Sequence, residues 1–408
     1  MLEKTRKLRN VGLASSMAFM VLGFAAGLFR LFMDNGVPYM QQLVPLFNLH
    51  SLFMVFGFLA CLLMTERIVG TSGMKGSFGF RFSLCMLLLS IGGLVLLSIG
   101  WLVHSLPLSV TGGVMAASAA LLFTLLLLRL GRIADDYSSF AIMSSGTVSL
   151  AMASVLSGFQ LPVDNYPLIV LMLLFPLAFV LGERVELTKF QHLPRKGVLN
   201  LSLLVFLASS IVLSFTAAVA GSPLPAGVLL TAALVLVLAG SLMTYTMERK
   251  RGVARGSRLQ AYVGTGIAVA YFWLLLGIPL LIFRINGVTG LYDPAVHSIA
   301  LGFIATFIFA HGPVIFPTVL ERRANISKLS YYPLILLTVS NILRVGGDLA
   351  KIPLLGAGVA PLFTSYMTAM SGVVLAASIL LFAIMMRGLV VRSGGMDLSL
   401  KSEPKQMS

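Results

Sequence analysis

Groups able to do chemistry in water are scarce in this chain. Its 408 residues include 14 Asp and Glu, 5 His and 2 Cys, and each shortage excludes something. Cys61 and Cys85 form no C-x-x-C and have no neighbouring His, so neither a disulfide framework nor a zinc cluster is expected, and both read as apolar packing residues. A charged fraction of 11% against 58% hydrophobic residues, with a mean hydropathy of +0.97, excludes an ordinary soluble domain. No stretch between apolar segments is long enough to fold in water by itself. All of the acidic residues fall in loops, tails or the ends of apolar segments. The midplane carboxylate that ion-coupled transporters and proton pumps usually need is therefore not expected.

What is abundant is hydrocarbon. Segments of roughly 18 to 25 apolar residues, the length a helix needs to cross about 30 Å of hydrocarbon, run along the whole chain. They predict an all-α, polytopic membrane helix bundle of about twelve transmembrane spans. The spans lie near residues 12–33, 42–64, 82–103, 108–130, 138–158, 165–182, 197–220, 225–246, 260–283, 295–318, 331–347 and 358–386. The first follows a basic stretch, as a signal peptide does, but it is too long and has no A-x-A site, so it reads as a span. Residues 1–389 are expected to form one transmembrane domain, and residues 390–408, rich in Ser, Gly, Lys and Met, a disordered cytoplasmic tail.

Basic residues set the orientation. The N-terminus, the alternate loops and the C-terminal end together carry 25 of the 29 Lys and Arg. Cytoplasmic loops hold the excess of positive charge, so both termini are expected in the cytoplasm and the protein in the cell inner (plasma) membrane. The net charge of +15 is then topology, with some attraction to anionic membrane lipids, and a nucleic-acid partner need not be invoked.

Four basic residues escape that tally: Arg30, Arg284, Arg344 and Lys351, all at the outer ends of spans or just beyond them. Each either snorkels to the headgroups or belongs to a site. Two histidines lie at the same predicted level, His50 in LFNLHSLFMVFGFLACLLM and His297 in AVHSIALGFIATFIFAHGPVIFP. A polar ring inside a span has to be paired, wetted or bound to something. Two imidazoles on facing helices can clamp a heme iron, and arginines at one level suit its anionic propionates. His311 is 14 residues after His297. At about 100° per residue the two share a helix face but stand about 21 Å apart, too far to serve one iron. It reads either as a second small metal site or as a polar group bonded to carbonyls freed by Pro313 and Pro317. His104 and His192 fall in loops.

At these residues the chain resembles heme-copper oxidase subunit I. HSLFMVF, from His50 to Phe56, is similar to the H-G-x-x-M-x-F segment whose histidine is an axial ligand of the low-spin heme. His297, followed by an apolar stretch closing in Phe316-Pro317, resembles the other ligand helix. Arg30, and Arg344 with Asp348, stand where that family places groups around the heme substituents. The resemblance implies a b-type heme held by His50 and His297, with Arg30, Arg344 and Arg284 near its propionates. The sixth and seventh spans carry no histidine, and Ala295 stands where the high-spin ligand would be, so the oxygen-reducing centre is missing. The NnrS-type membrane proteins, twelve-span heme proteins of the nitric oxide response, are the more similar group.

Three functions follow as expectations. One is a heme-based sensor or electron-transfer protein with a redox partner or quinol. The second is a secondary transporter of a small solute, working without buried acidic coupling groups. The third is a redox enzyme, which would need a second metal site. The 21 Met, with Met54 on the face of His50, allow Cu(I) as a second, less supported metal; as apolar filler they need no metal. A Glu-Arg pair recurs at Glu66-Arg67, Glu183-Arg184 and Glu321-Arg322, as a threefold repeat of four helices would place it. It also occurs at Glu248-Arg249, where such a repeat would not.

Overall fold

The structure is a computed structural model that describes residues 2–34, 49–71, 79–161, 166–187, 196–220, 258–285, 288, 290–319, 326–352 and 361–393. Among these residues it is all-helical, with no strand. Nine helices among the described residues are long and apolar enough to cross a membrane, and two shorter apolar ones lie at Pro167–Glu183 and Leu207–Thr216. In chain order the helices are α1 (Leu2–Asp34), α2 (Leu49–Thr71), α3 (Phe80–Leu102), α4 (Leu106–Ile133), α5 (Tyr137–Gly158), α6 (Tyr166–Leu187) and α7 (Lys196–Ala220). They continue with α8 (Arg258–Ile285), α9 in three parts between Tyr292 and Val319, α10 (Tyr331–Ala350) and α11 (Pro361–Ser393). The expected eighth span, 225–246, and the tail beyond Ser393 lie outside the described residues.

Local chemistry sets the helix ends. Pro107 opens the first turn of α4, where a missing N–H costs nothing. Asp136 caps α5, its carboxylate accepting from the Ser139 N–H and, at 2.8 Å, from the Ser139 hydroxyl. Consecutive helices α3 to α6 pack side by side, and small residues let α3 and α4 touch backbone to backbone. A Cβ on Gly112 would stand 2.2 Å from the Leu97 nitrogen, so no larger residue fits there.

On the other side of the bundle α1 lies against α2, α8 against α9, and α10 against α11, while α1 also touches α11. At one end Arg67 of α2 reaches α6, with Nη2 3.0 Å from Glu183 and Nη1 3.1 Å from Glu186. Two of the Glu-Arg dipeptides are thus joined to one another by this cluster. Glu248-Arg249 and Glu321-Arg322 fall outside the described residues.

The two histidine-bearing helices share a departure from α geometry. In α2 a π-helical segment, Phe53–Leu59, begins three residues after His50; in α9 one of eight residues, Ser298–Ala305, begins immediately after His297. In each, N–H groups reach the carbonyl five residues back; Ala60 bonds Val55, and Thr306 adds its hydroxyl to the Leu301 carbonyl at 3.2 Å. A π turn takes about one more residue than an α turn and is concentrated at functional sites.

Candidate functional site

His50 and His297 line one cavity of about 420 Å³, enclosed by α1, α2, α6, α9, α10 and α11. Their Nδ1 atoms are fixed alike. His50 Nδ1 lies 2.6 Å from the Gly23 carbonyl on α1, and His297 Nδ1 lies 2.8 Å from the Asp293 carbonyl one turn earlier on α9. A carbonyl can only accept, so both rings carry their proton on Nδ1, and a neutral ring presents the Nε2 lone pair. No hydrogen bond to either Nε2 is made by the described residues. A main-chain partner on the distal nitrogen is how metal-ligating histidines are usually oriented.

Room for the His50 ring comes from a missing side chain. A Cβ on Gly27 would stand 2.8 Å from both Cε1 and Nδ1 of His50, so only glycine allows the ring this close to α1. The residue after each histidine is serine, and the Oγ atoms of Ser51 and Ser298 are both buried without a protein partner. Ser51 also lines the cavity.

Charge gathers at the end of the cavity where the histidines stand. Arg30, Asp293 and Arg344 line it, and the Asp293 carboxylate lies 3.7 Å from Arg30 and 3.9 Å from Arg344. Arg344 also pairs with Asp348 at 3.1 Å, and Lys351 approaches Asp348 at 3.5 Å. Arg344 is 8% exposed and Asp348 7%. These described groups sum to three cations and two anions, one net positive charge, with Arg344 and Asp348 buried and Lys351 at the exposed edge. The positive balance at the cavity mouth favours an anionic ligand, most strongly beside the buried Arg344.

Sequence expectations meet this geometry unevenly. The cavity brings together His50, His297, Arg30 and Arg344. Arg284, at the far end of α8, is not among its lining residues. His311 is also absent from the lining. Its Nδ1 bonds the Phe307 carbonyl at 3.0 Å and its ring stacks on Phe307 at 4.1 Å. Counting 100° for every residue does not apply between His297 and His311, because a π segment separates them. The expectation that no carboxylate is buried also needs correction. Asp348, at a span end in sequence, is buried against Arg344, and Asp293 is half-buried at the cavity.

Asp293 is the site residue that sequence reasoning misses, although the signal was present. It stands four residues before His297, the spacing that puts two groups on one helix face.

Met17, Met20, Met54, Met172 and Met386 line the cavity too. No group of three or more His, Cys, Asp or Glu gathers as a metal cluster among the described residues. Paired imidazoles alone suit an iron already held by a macrocycle.

A family model described as a domain of unknown function, DUF8744, matches residues 9–391. The chain belongs to the DUF8744 family. No curated protein matches it. The DUF8744 match runs from α1 to α11 and contains every residue that lines the cavity.

Proposed function

We propose that the cavity holds a b-type heme, with His50 and His297 as axial ligands and Arg30 and Arg344 beside its propionates. The observation that carries the reading is the pair of imidazoles on one cavity, each with Nδ1 tied to a main-chain carbonyl and Nε2 left for a ligand. Charge supports it. A ferric porphyrin with two propionates carries one net negative charge, matching the one net positive charge of the Arg30, Arg344, Lys351, Asp293 and Asp348 cluster. The Gly27 gap supports it as well, since a ring seated so close to α1 is held edge and face.

When bound, the group supplies one-electron chemistry or the binding of a small diatomic gas. The protein's part is to orient two imidazoles, balance charge and exclude water. With both axial positions taken by histidine, electron transfer or sensing is favoured over oxygen reduction, in keeping with the missing copper and high-spin ligands. In this reading the chain is a twelve-span protein of the inner membrane, NnrS-like and oxidase-like in arrangement, with both termini cytoplasmic and the charged end of the cavity outward. It would exchange electrons with a redox partner or quinol.

A reduced-minus-oxidised spectrum of the purified protein, with a pyridine hemochrome assay, tests the proposal. A low-spin b-type spectrum at about one heme per chain is expected. A colourless protein after expression with ample heme would overturn it and leave transport of a small solute as the reading. For that alternative the buried Asp348 and the half-buried Asp293 are now available as ionisable groups.

A further inference from the structure

The cavity is longer than its histidines require. On α1 its lining runs from Arg30 to Leu13, and on α11 from Ser371 to Met386. Gly27 marks the level of the His50 ring, and Leu13 lies 14 residues farther along α1, about 21 Å at the rise of an α-helix. That distance is well beyond the edge of any porphyrin centred between the two histidines.

This inner arm differs in chemistry from the outer end. The charged lining groups Arg30, Asp293 and Arg344, together with Ser51, Ser340 and Ser371, all belong to the outer part. The arm itself is walled by residues such as Leu13, Met17, Leu62, Phe309 and Met386. Nothing there could orient a polar molecule. Ordered water needs two or more polar partners, and an apolar space left unfilled forfeits the dispersion contacts of its walls. At its inner end the arm is bounded where α1 and α2 close on each other, since a Cβ on Gly12 would run into the Thr65 side chain.

We propose that the arm is a binding site for a single long hydrocarbon chain, lying along α1 below the histidines. This rests on the heme reading for what fills the charged end, but the arm's own chemistry stands apart from it. The chain has two sources of the same chemistry: a hydrocarbon substituent on the macrocycle itself, or the tail of a separate membrane lipid entering beside α1 and α11. Unbranched Met side chains at Met17 and Met386 suit a flexible tail, because they repack around an irregular apolar guest.

The test is mass spectrometry of what the full-length protein retains after washing to constant phospholipid content. Parent protein is compared with Met17→Trp and Met386→Phe, which fill the arm far from the histidines. About one chain per protein is expected in the parent, and its loss in the filled variants. An extracted macrocycle heavier than heme b identifies the chain as its substituent and replaces heme b by a substituted relative of it in the reading above. Unmodified heme b with one stoichiometric lipid, displaced in the variants, identifies a separate lipid. A retained chain in colourless protein removes the heme and keeps the arm, whereas a heme spectrum with no retained chain removes the arm alone. Equal retention in parent and in filled variants of unchanged size-exclusion profile also overturns the proposal. If neither variant folds, the parent stoichiometry still decides.

Discussion

Asp293 touches His297 with its main chain and Arg344 with its side chain. Its carbonyl receives the Nδ1 proton of His297 at 2.8 Å, and its carboxylate lies 3.9 Å from Arg344 and 3.7 Å from Arg30. One residue therefore joins the orientation of an imidazole to the charge balance of the cavity mouth. The two roles are separable, because Asp293→Asn keeps the carbonyl and removes the charge. In the heme reading this variant should retain a low-spin bis-histidine spectrum. Its potential should rise by on the order of 50 mV, since losing a nearby anion favours the reduced iron. A redox titration monitored by absorbance checks the sign. A fall in potential would contradict the placement of Asp293 beside the site.

Arg344→Gln should do the opposite. Removing a cation from a cluster with one net positive charge leaves Asp293 and Asp348 less compensated and disfavours both an anionic ligand and an added electron. Heme occupancy is expected to fall roughly tenfold, or the potential to drop by a similar on-the-order-of 50 mV where heme is retained. Unchanged occupancy and potential would remove Arg344 from the site. Arg284→Gln, lying off the cavity lining, should leave both quantities as in the parent.

The helix framework was largely legible before the structure. The eleven expected spans that fall on described residues all coincide with helices, from α3 at 80–102 against 82–103 to α10 at 331–350 against 331–347, with α2 displaced by seven residues, because apolar length is a direct consequence of membrane thickness. The site was partly legible. His50, His297, Arg30 and Arg344 stood out as ionisable groups where hydrocarbon was expected. The π segments did not, since Phe53–Leu59 and Ser298–Ala305 read as ordinary apolar helix and the wider turn has no residue signature. For the same reason His311 could not be assigned to a face by counting. Asp348 stood beside Arg344 in the resemblance, but its place near a span end gave no sign of its burial. Burial depends on which way that end packs.

Gly27 offers a steric test that leaves charge untouched. A methyl group at this position would sit 2.8 Å from the His50 ring, forcing the imidazole off α1 and away from the Gly23 carbonyl. Gly27→Ala should lower heme retention and change the electron paramagnetic resonance signature of the axial ligands. Overpacking of this kind costs about 1–3 kcal/mol. A parental spectrum and signature in Gly27→Ala would show that the ring has room to move without consequence.

Arg67 provides a control for stability without function. It joins α2 to α6 through Glu183 and Glu186, and none of the three lines the cavity. Truncation to Ala leaves two carboxylates without their partner, and breaking a buried pair from one side costs about 3–5 kcal/mol. With Glu186 about a third exposed, the lower end of that range is expected. Thermal unfolding in detergent should shift down by several degrees, while protein that remains folded keeps the parental heme spectrum.

The ligand assignment is decided by three alanine variants. His50→Ala and His297→Ala should each abolish the low-spin spectrum, because one remaining imidazole leaves iron five-coordinate or releases the heme. Each ring is oriented by a different carbonyl, on α1 for His50 and within α9 for His297, so neither loss can be repaired by the other. His311→Ala should leave the spectrum intact. Its ring is stacked on Phe307 and bonded to the Phe307 carbonyl, away from the cavity lining. If His311→Ala erased the spectrum and His297→Ala spared it, the iron would sit deeper along α9 than Asp293 and the arginines can reach. If all three variants matched a parent that binds heme, the ligands would have to come from elsewhere in the chain, and the cavity between His50 and His297 would need a different occupant.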